Sequence, residues 1–189
     1  MPPSTEVRAT LDDLLAFDGN AELIHGRIVK LMPTGNRPGE IALGIAIGLW
    51  SHVKATGRGI ARGDGVGFAV PELASGRESF SPDASYYDGP LPANQMRFIE
   101  GPPTFAVEVR SENDYSPSAQ REMAAKRADY FEAGALAVWD VDPIAELVHA
   151  YRRDDPAAPR TFARGDLADA EPAVPGWTMA VDEVFGPTG

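Results

Sequence analysis

Four short segments of this chain hold residue types that could act together: Gly39-Glu40 at the start of an apolar helical stretch, Pro82-Asp83, Glu108-Val109-Arg110, and Lys126. In chain order they give a carboxylate, an aspartate after proline, a glutamate inside a hydrophobic strand and a lysine on the next helix. These are the parts of a site that holds a divalent metal against a phosphate. A hard cation such as Mg²⁺ takes one or two carboxylates and keeps several waters. A lysine beside it can orient a water, or neutralise charge as a phosphodiester bond breaks.

Each residue also has a plainer reading. Ser81-Pro82-Asp83 is ordinary strand-entry chemistry. Glu108, flanked by Phe105, Val107 and Val109, is costly inside a strand unless it is paired or metal-bound, and an ion pair to Arg110 or Lys126 would satisfy it. Glu40 in a first helical turn complements the helix dipole. Lys126 sits four residues after Glu122, the spacing of a solvated helix pair. His25, His52 and His149 lack the spacing of a zinc site. Gly63-Asp64-Gly65-Val66-Gly67 has no P-loop lysine after it and reads as a turn between strands.

The elements that must position these residues are legible in outline. Thr10 is an N-cap, with Asp12 and Asp13 in the first turn and Leu11, Leu14, Leu15 and Phe17 as the buried stripe. Glu22 to His25 and Arg27 to Met32 read as a hairpin about Gly26, and Thr34 to Gly39 as a breaker-rich loop. From Glu40 to about Ala55, Ile41, Ile45, Leu49 and Val53 recur at helical spacing. Short strands are predicted at Ile60 to Arg62, Val66 to Val70 and Asp83 to Tyr87, with polar loop over 71–81 and a proline-rich surface excursion over 89–103. Phe105 to Arg110 is the clearest strand, with Phe105, Val107 and Val109 on one face and Ala106, Glu108 and Arg110 on the other. Ser116 or Ser118 caps a helix to about Glu132, closed by Gly134. Ala119, Met123, Lys126 and Tyr130 share its inward face. Leu136 to Val141 is a buried strand ended by Asp142-Pro143, and Glu146 to Tyr151 pairs back on it. Glu22 is a hairpin carboxylate that could reach Arg27 or support the site, and Asp140 and Asp142, on one face at the end of a buried strand, read as strand-end solvation or supporting groups rather than acidic site residues.

Composition narrows the class. The chain has 189 residues and 43% hydrophobic content, enough for one domain over 1–189 with a sizeable core. No stretch has the roughly 18 apolar residues of a membrane span, so no membrane partner is expected. Met1 to Glu6 lack a signal-peptide pattern, and with no cysteine the expected setting is cytoplasmic. A net charge of −11 argues against a protein that coats nucleic acid electrostatically. A local basic groove would have to draw on Arg58, Arg62, Arg77, Arg97, Arg110, Arg121 and Arg127, since Lys30, Lys54 and Lys126 are the only three lysines.

Taken in order, the segments Glu22-Leu23-Ile24-His25-Gly26, Met32-Pro33-Thr34-Gly35, Gly39-Glu40-Ile41, Ser81-Pro82-Asp83, Ala106-Val107-Glu108-Val109, Lys126 to Tyr130 and Val138 to Pro143 form a recognisable series. It resembles the Uma-type family of restriction endonucleases, within the PD-(D/E)xK nuclease superfamily, over roughly residues 10 to 155. The resemblance implies an α/β fold with a restriction-endonuclease-like core, a mixed β-sheet flanked by helices. It implies Asp83 and Glu108 as metal ligands, with the Val109 carbonyl completing the set and Glu40 beside it. The lysine that usually lies two residues after the glutamate is replaced by Arg110, which cannot act as a base; Lys126 matches a position where that lysine has migrated to the next helix. A histidine that relatives often carry before the Gly-Glu pair is Pro38 here.

The activity implied is hydrolysis of a nucleic-acid phosphodiester with Mg²⁺ or Mn²⁺ by Asp83, Glu108 and Lys126, with Arg110 clamping a phosphate oxygen. DNA is the expected partner, and a homodimer is expected on general grounds. Two other classes compete: a catalytically inactive nuclease-fold protein with an interaction or regulatory role, and a metal-dependent hydrolase of small phosphate compounds.

Overall fold

The structure, a computed structural model, describes residues 8–187; the reading of Met1 to Glu6 lies outside them. Helix α1 (Leu11–Leu15) opens on Thr10, whose hydroxyl accepts from the Asp13 N–H while the Asp13 carboxylate accepts from the Thr10 N–H. That reciprocal cap satisfies two of the N–H groups a helix start leaves unpaired. Strands β1 (Ala21–Ile24) and β2 (Arg27–Lys30) pair antiparallel. His25 and Gly26 join them with φ of 54° and 65°, the left-handed pair that suits a two-residue hairpin loop. A Cβ on Gly26 would also lie 2.6 Å from the Arg8 side chain.

Helix α2 spans Asn36–Thr56, four residues earlier than the sequence pattern predicts. Pro38 does not block that start, because the first-turn N–H groups have no intrahelical partner to lose. Glu40 is therefore not a first-turn carboxylate, a correction to the dipole reading. Next come β3 (Ile60–Gly63), β4 (Phe68–Ala69), β5 (Ser79–Phe80), β6 (Ala84–Tyr87), β7 (Ile99–Glu100) and β8 (Phe105–Val109). Two-residue strands such as β5 and β7 are too short to carry a periodic signal, which is why the pattern there predicts loop. Helix α3 (Pro117–Ala133) starts on Ser116, whose hydroxyl accepts from the Ala119 N–H, and ends on Gly134 at φ 117°. Strands β9 (Ala137–Asp142), β10 (Leu147–Arg152), β11 (Asp155–Phe162), β12 (Leu167–Asp169), β13 (Thr178–Ala180) and helix α4 (Val181–Phe185) complete the order. The sequence pattern does not reveal β11, which holds Pro156 and Pro159; as the edge of its sheet it can tolerate them.

Six strands form the central sheet in the order β11-β10-β9-β8-β6-β3. Only the β8–β9 pair within it is parallel, and α3 makes that crossover. This is the expected α/β architecture with a mixed sheet. Both faces are covered. On one, Ile41, Ile45 and Leu49 of α2 pack with Phe105, Val107, Trp139 and Val141, and with Trp177, Val181 and Phe185 from the end of the chain. On the other, Ala106 and Val138 meet Tyr130 of α3 and Phe80, whose rings stack 4.1 Å apart. The alternation along β8 thus sends Val107 into one core and Glu108 to the α3 side. The β1–β2 hairpin is fastened beside that second face: Glu78 donates its N–H to the Leu23 carbonyl (2.8 Å), and the Leu23 N–H donates to the Ser79 hydroxyl (2.8 Å).

Candidate active site

Asp83 sits just before β6, where its N–H donates to the Val107 carbonyl (3.1 Å) and its Oδ2 accepts from the Val109 N–H (2.7 Å). These two bonds clamp the aspartate against the strand that carries Glu108. The other Asp83 oxygen has no hydrogen-bond partner among the described residues. Burial, reinforced by the neighbouring Glu108 charge, pushes the Asp83 carboxyl up to about 7 against the pull of the Val109 N–H and Lys126.

Glu108 faces α3. Its Oε1 accepts from the Tyr130 hydroxyl (2.6 Å), and Lys126 Nζ lies 2.9 Å from Oε1 and 3.0 Å from Oε2. Burial and the Glu22 charge raise its carboxyl despite Lys126. Lys126 Nζ is also 3.1 Å from Glu22 Oε1 on β1. Burial works against its charge, but two carboxylates outweigh burial, so Lys126 is held protonated above the ordinary lysine range. Its inward register on α3 agrees with the expectation, and its partner is Glu108 rather than Glu122.

Glu22 is the residue that unites the site, a larger part than the supporting place the sequence suggests. It is buried, with Oε1 accepting from the Ser81 N–H (3.0 Å) and Oε2 bonded to Arg77 Nη1. Burial opposes its charge, but Lys126 and Arg77 hold its carboxyl below the usual range. Arg77 Nε then donates to Asp129 (2.9 Å), one helical turn beyond Lys126. Nothing in the local sequence marks Arg77 or Asp129, because 55 residues separate Arg77 from Glu22 and 52 separate it from Asp129.

Two expected members stand apart. Glu40 is 67% exposed and faces Arg37 at 3.6 Å; Arg37 also faces Glu146 at 3.7 Å and donates to the Phe185 carbonyl. Among the described residues no group of three or more His, Cys, Asp or Glu side chains could hold a metal, so Glu40 is not brought to Asp83 and Glu108. Arg110, expected to clamp phosphate, spends its donors within the protein. Its Nε and Nη2 bond to both Asp140 oxygens (2.7 and 3.0 Å), and Nη1 bonds to Asp142 (3.1 Å). Arg127 adds a second cation to Asp140 (2.9 Å). Of the seven candidate arginines, Arg77, Arg110 and Arg127 line one cleft with Lys126, but each is paired there, Arg77 with Glu22 and Arg110 and Arg127 with Asp140; Arg58 pairs with Asp88 and Arg97 with Asp12.

The arrangement suits a divalent cation in donor type. Glu22, Asp83, Glu108 and Asp129 bring four carboxyl groups against two cations, Arg77 and Lys126, and burial with mutual repulsion raises the carboxyls of Asp83 and Glu108. With two candidate side-chain ligands, the donor set suits a metal that keeps much of its water.

A sequence profile of the Uma2 family, described as "Putative restriction endonuclease", matches residues 10–182. The chain belongs to the Uma2 family. Membership extends beyond the stretch that the motifs alone delimit and takes in β11 to β13. A solved relative in fold is the crystal structure of "a putative nuclease belonging to DUF820 from Anabaena variabilis ATCC 29413". It is 21% identical with a TM-score of 0.69, over 93% of this chain and 97% of that one. At that identity the likeness speaks for the fold. No curated protein is significantly similar to this Uma2 chain. None of its helices, among the described residues, is long and apolar enough to cross a membrane.

Proposed function

We propose that this protein is a Mg²⁺- or Mn²⁺-dependent nuclease that hydrolyses phosphodiester bonds at Asp83, Glu108 and Lys126. One observation carries the reading. Two carboxylates lie side by side at the ends of adjacent strands, short of compensating charge, with a partly buried lysine bonded to one of them. Asp83, Glu108 and the Val109 carbonyl would hold the metal. Bound there, it would act as a Lewis acid on phosphate oxygens and make water a better nucleophile.

In the reaction the oxygen of water bonds to phosphorus, the bond from phosphorus to one ester oxygen breaks, and a proton from the water ends on the departing oxygen. Lys126 serves as a fixed cation against the charge that grows on the phosphate oxygens. It is not the base, because Glu22 and Glu108 hold its proton in place. Tyr130 and Lys126 fix the Glu108 carboxylate from the α3 side, while the Val109 N–H orients Asp83. Arg110 and Arg127 brace Asp140 on β9, the strand beside Glu108, and so keep the floor of the site rigid.

The test is cleavage of labelled DNA and RNA with Mg²⁺, with Mn²⁺ and with EDTA. Asp83→Asn, Glu108→Gln and Lys126→Met should each lower turnover at least a hundredfold while keeping the wild-type circular dichroism. The non-catalytic alternative draws support from the absence, among the described residues, of a group of three or more His, Cys, Asp or Glu side chains placed to hold a metal. Calorimetric titration of Mn²⁺ into metal-free protein separates the two readings. The nuclease takes up metal and loses it in Asp83→Asn, whereas a purely structural relative releases no heat. The homodimer belongs to the same proposal. Leu43, Ile47 and Trp50 form an exposed apolar row on the outer side of α2, and sedimentation velocity reads whether it is shared.

A further inference from the structure

The cleft over Glu108 and Lys126 has a volume of about 330 Å³, at the small end for ligand cavities. Its cations are Arg77, Arg110, Lys126 and Arg127, and each is already paired with buried or partly buried carboxylates of the protein. A duplex gains its affinity largely from Lys and Arg that neutralise phosphates and release counterions. This cleft has no such residue to spare, and the whole chain carries −11.

Beside its carboxylates, Glu22, Glu108, Asp114, Glu122 and Asp140, the cleft offers apolar surface. Ile24, Val29 and Leu31 line it from the hairpin, and Ala119 and Met123 line it from α3. Val29 is 42% exposed. A nucleobase has the matching chemistry: an apolar face that gains by leaving water. A base stacked inside a duplex cannot reach such a slot without first being unstacked, at a cost of a few kcal/mol, whereas a single strand presents it freely.

We propose that the cleft takes single-stranded nucleic acid, one base lying between the hairpin wall (Ile24, Val29, Leu31) and Met123 while the adjoining phosphodiester lies over Glu108 at the cleft's Val109 end, where Asp83 is bonded. The inference rests on the nuclease reading and adds its substrate class. Recognition then comes from the base more than from the phosphate chain, which resolves how so acidic a protein holds a polyanion.

The experiment measures fluorescence anisotropy of a labelled ten-nucleotide oligo-dT and a ten-base-pair duplex with the full chain, using Ca²⁺ as the metal. The single strand should bind at least tenfold tighter than the duplex. Its salt dependence should be shallow, corresponding to one or two phosphates at about 0.7 per phosphate. Val29→Ser and Met123→Ser should each weaken single-strand binding roughly tenfold and leave Mn²⁺ affinity, read by calorimetry, unchanged. Equal or tighter duplex binding, wild-type affinity in both variants, or no binding of either oligonucleotide overturns the inference. Loss of the nuclease reading looks different: no Mn²⁺ uptake and no cleavage of any nucleic acid. Asp83-dependent cleavage of duplex DNA alone would keep that reading and discard this one.

Discussion

Replacing Asp83 with asparagine should make the metal-free protein more stable at neutral pH, although it removes a proposed ligand. The aspartate is clamped by the Val109 N–H at 2.7 Å, and the asparagine carbonyl can keep that bond. What asparagine lacks is the charge that burial and Glu108 oppose. The folded protein holds this carboxyl at about 7 against an unperturbed 3.8. Between those values the folded state carries a proton that the unfolded state has released, so stability falls as pH rises through the window. At about 1.4 kcal/mol per unit the ceiling is about 4 kcal/mol; Asp83 is partly open to solvent, which reduces the expected loss to roughly 2 kcal/mol. Urea unfolding in EDTA at pH 5, 6, 7 and 8 measures it. The wild type should lose about 1 kcal/mol relative to Asp83→Asn between pH 5 and 8, the rest of the loss falling below pH 5. Saturating Mn²⁺ should reverse the order, since a ligand at a hundred times its Kd stabilises the form that binds it by about 2.7 kcal/mol. A constant difference between the two proteins across this pH range would refute the reasoning, as would a less stable asparagine variant at pH 8 in EDTA.

Other substitutions test the surrounding network. Glu22→Gln leaves Arg77 and Lys126 each short of a buried partner and should cost about 3 kcal/mol in urea unfolding. Tyr130→Phe keeps the stack on Phe80 but removes the hydroxyl bonded to Glu108, so unfolding should show a loss of about 1–2 kcal/mol. Arg110→Lys cannot reproduce the two-pronged grip on Asp140; it should lower the thermal midpoint by several degrees yet leave Mn²⁺ affinity within twofold, because no Arg110 donor is aimed at Asp83 or Glu108.

The sequence by itself determined the parts and their order. The Thr10 cap, the His25-Gly26 hairpin turn, the alternation along Phe105 to Val109 and the Ser116-to-Gly134 limits of α3 are local. Each is written in neighbouring side chains and backbone preference, and each is legible there. That Glu108 and Lys126 face each other is foreseeable for the same reason, since both lie on the inward phase of adjacent elements. The start of α2 is hidden because Pro38 and Gly39 look like breakers, whereas a first turn tolerates both. The company that the catalytic candidates keep was decided only by tertiary structure. Glu22, Arg77 and Asp129 come from a hairpin, a loop and a helix that no periodicity links. Arg110 looks free in sequence because its position beside Glu108 is visible there, while Asp140 and Asp142, which occupy it, arrive across the sheet on β9. Charge pairing depends on distances of about 3 Å between side chains many residues apart. A sequence specifies which charges exist; packing both sheet faces specifies which of them meet, and so which carboxylates are left with charge to share.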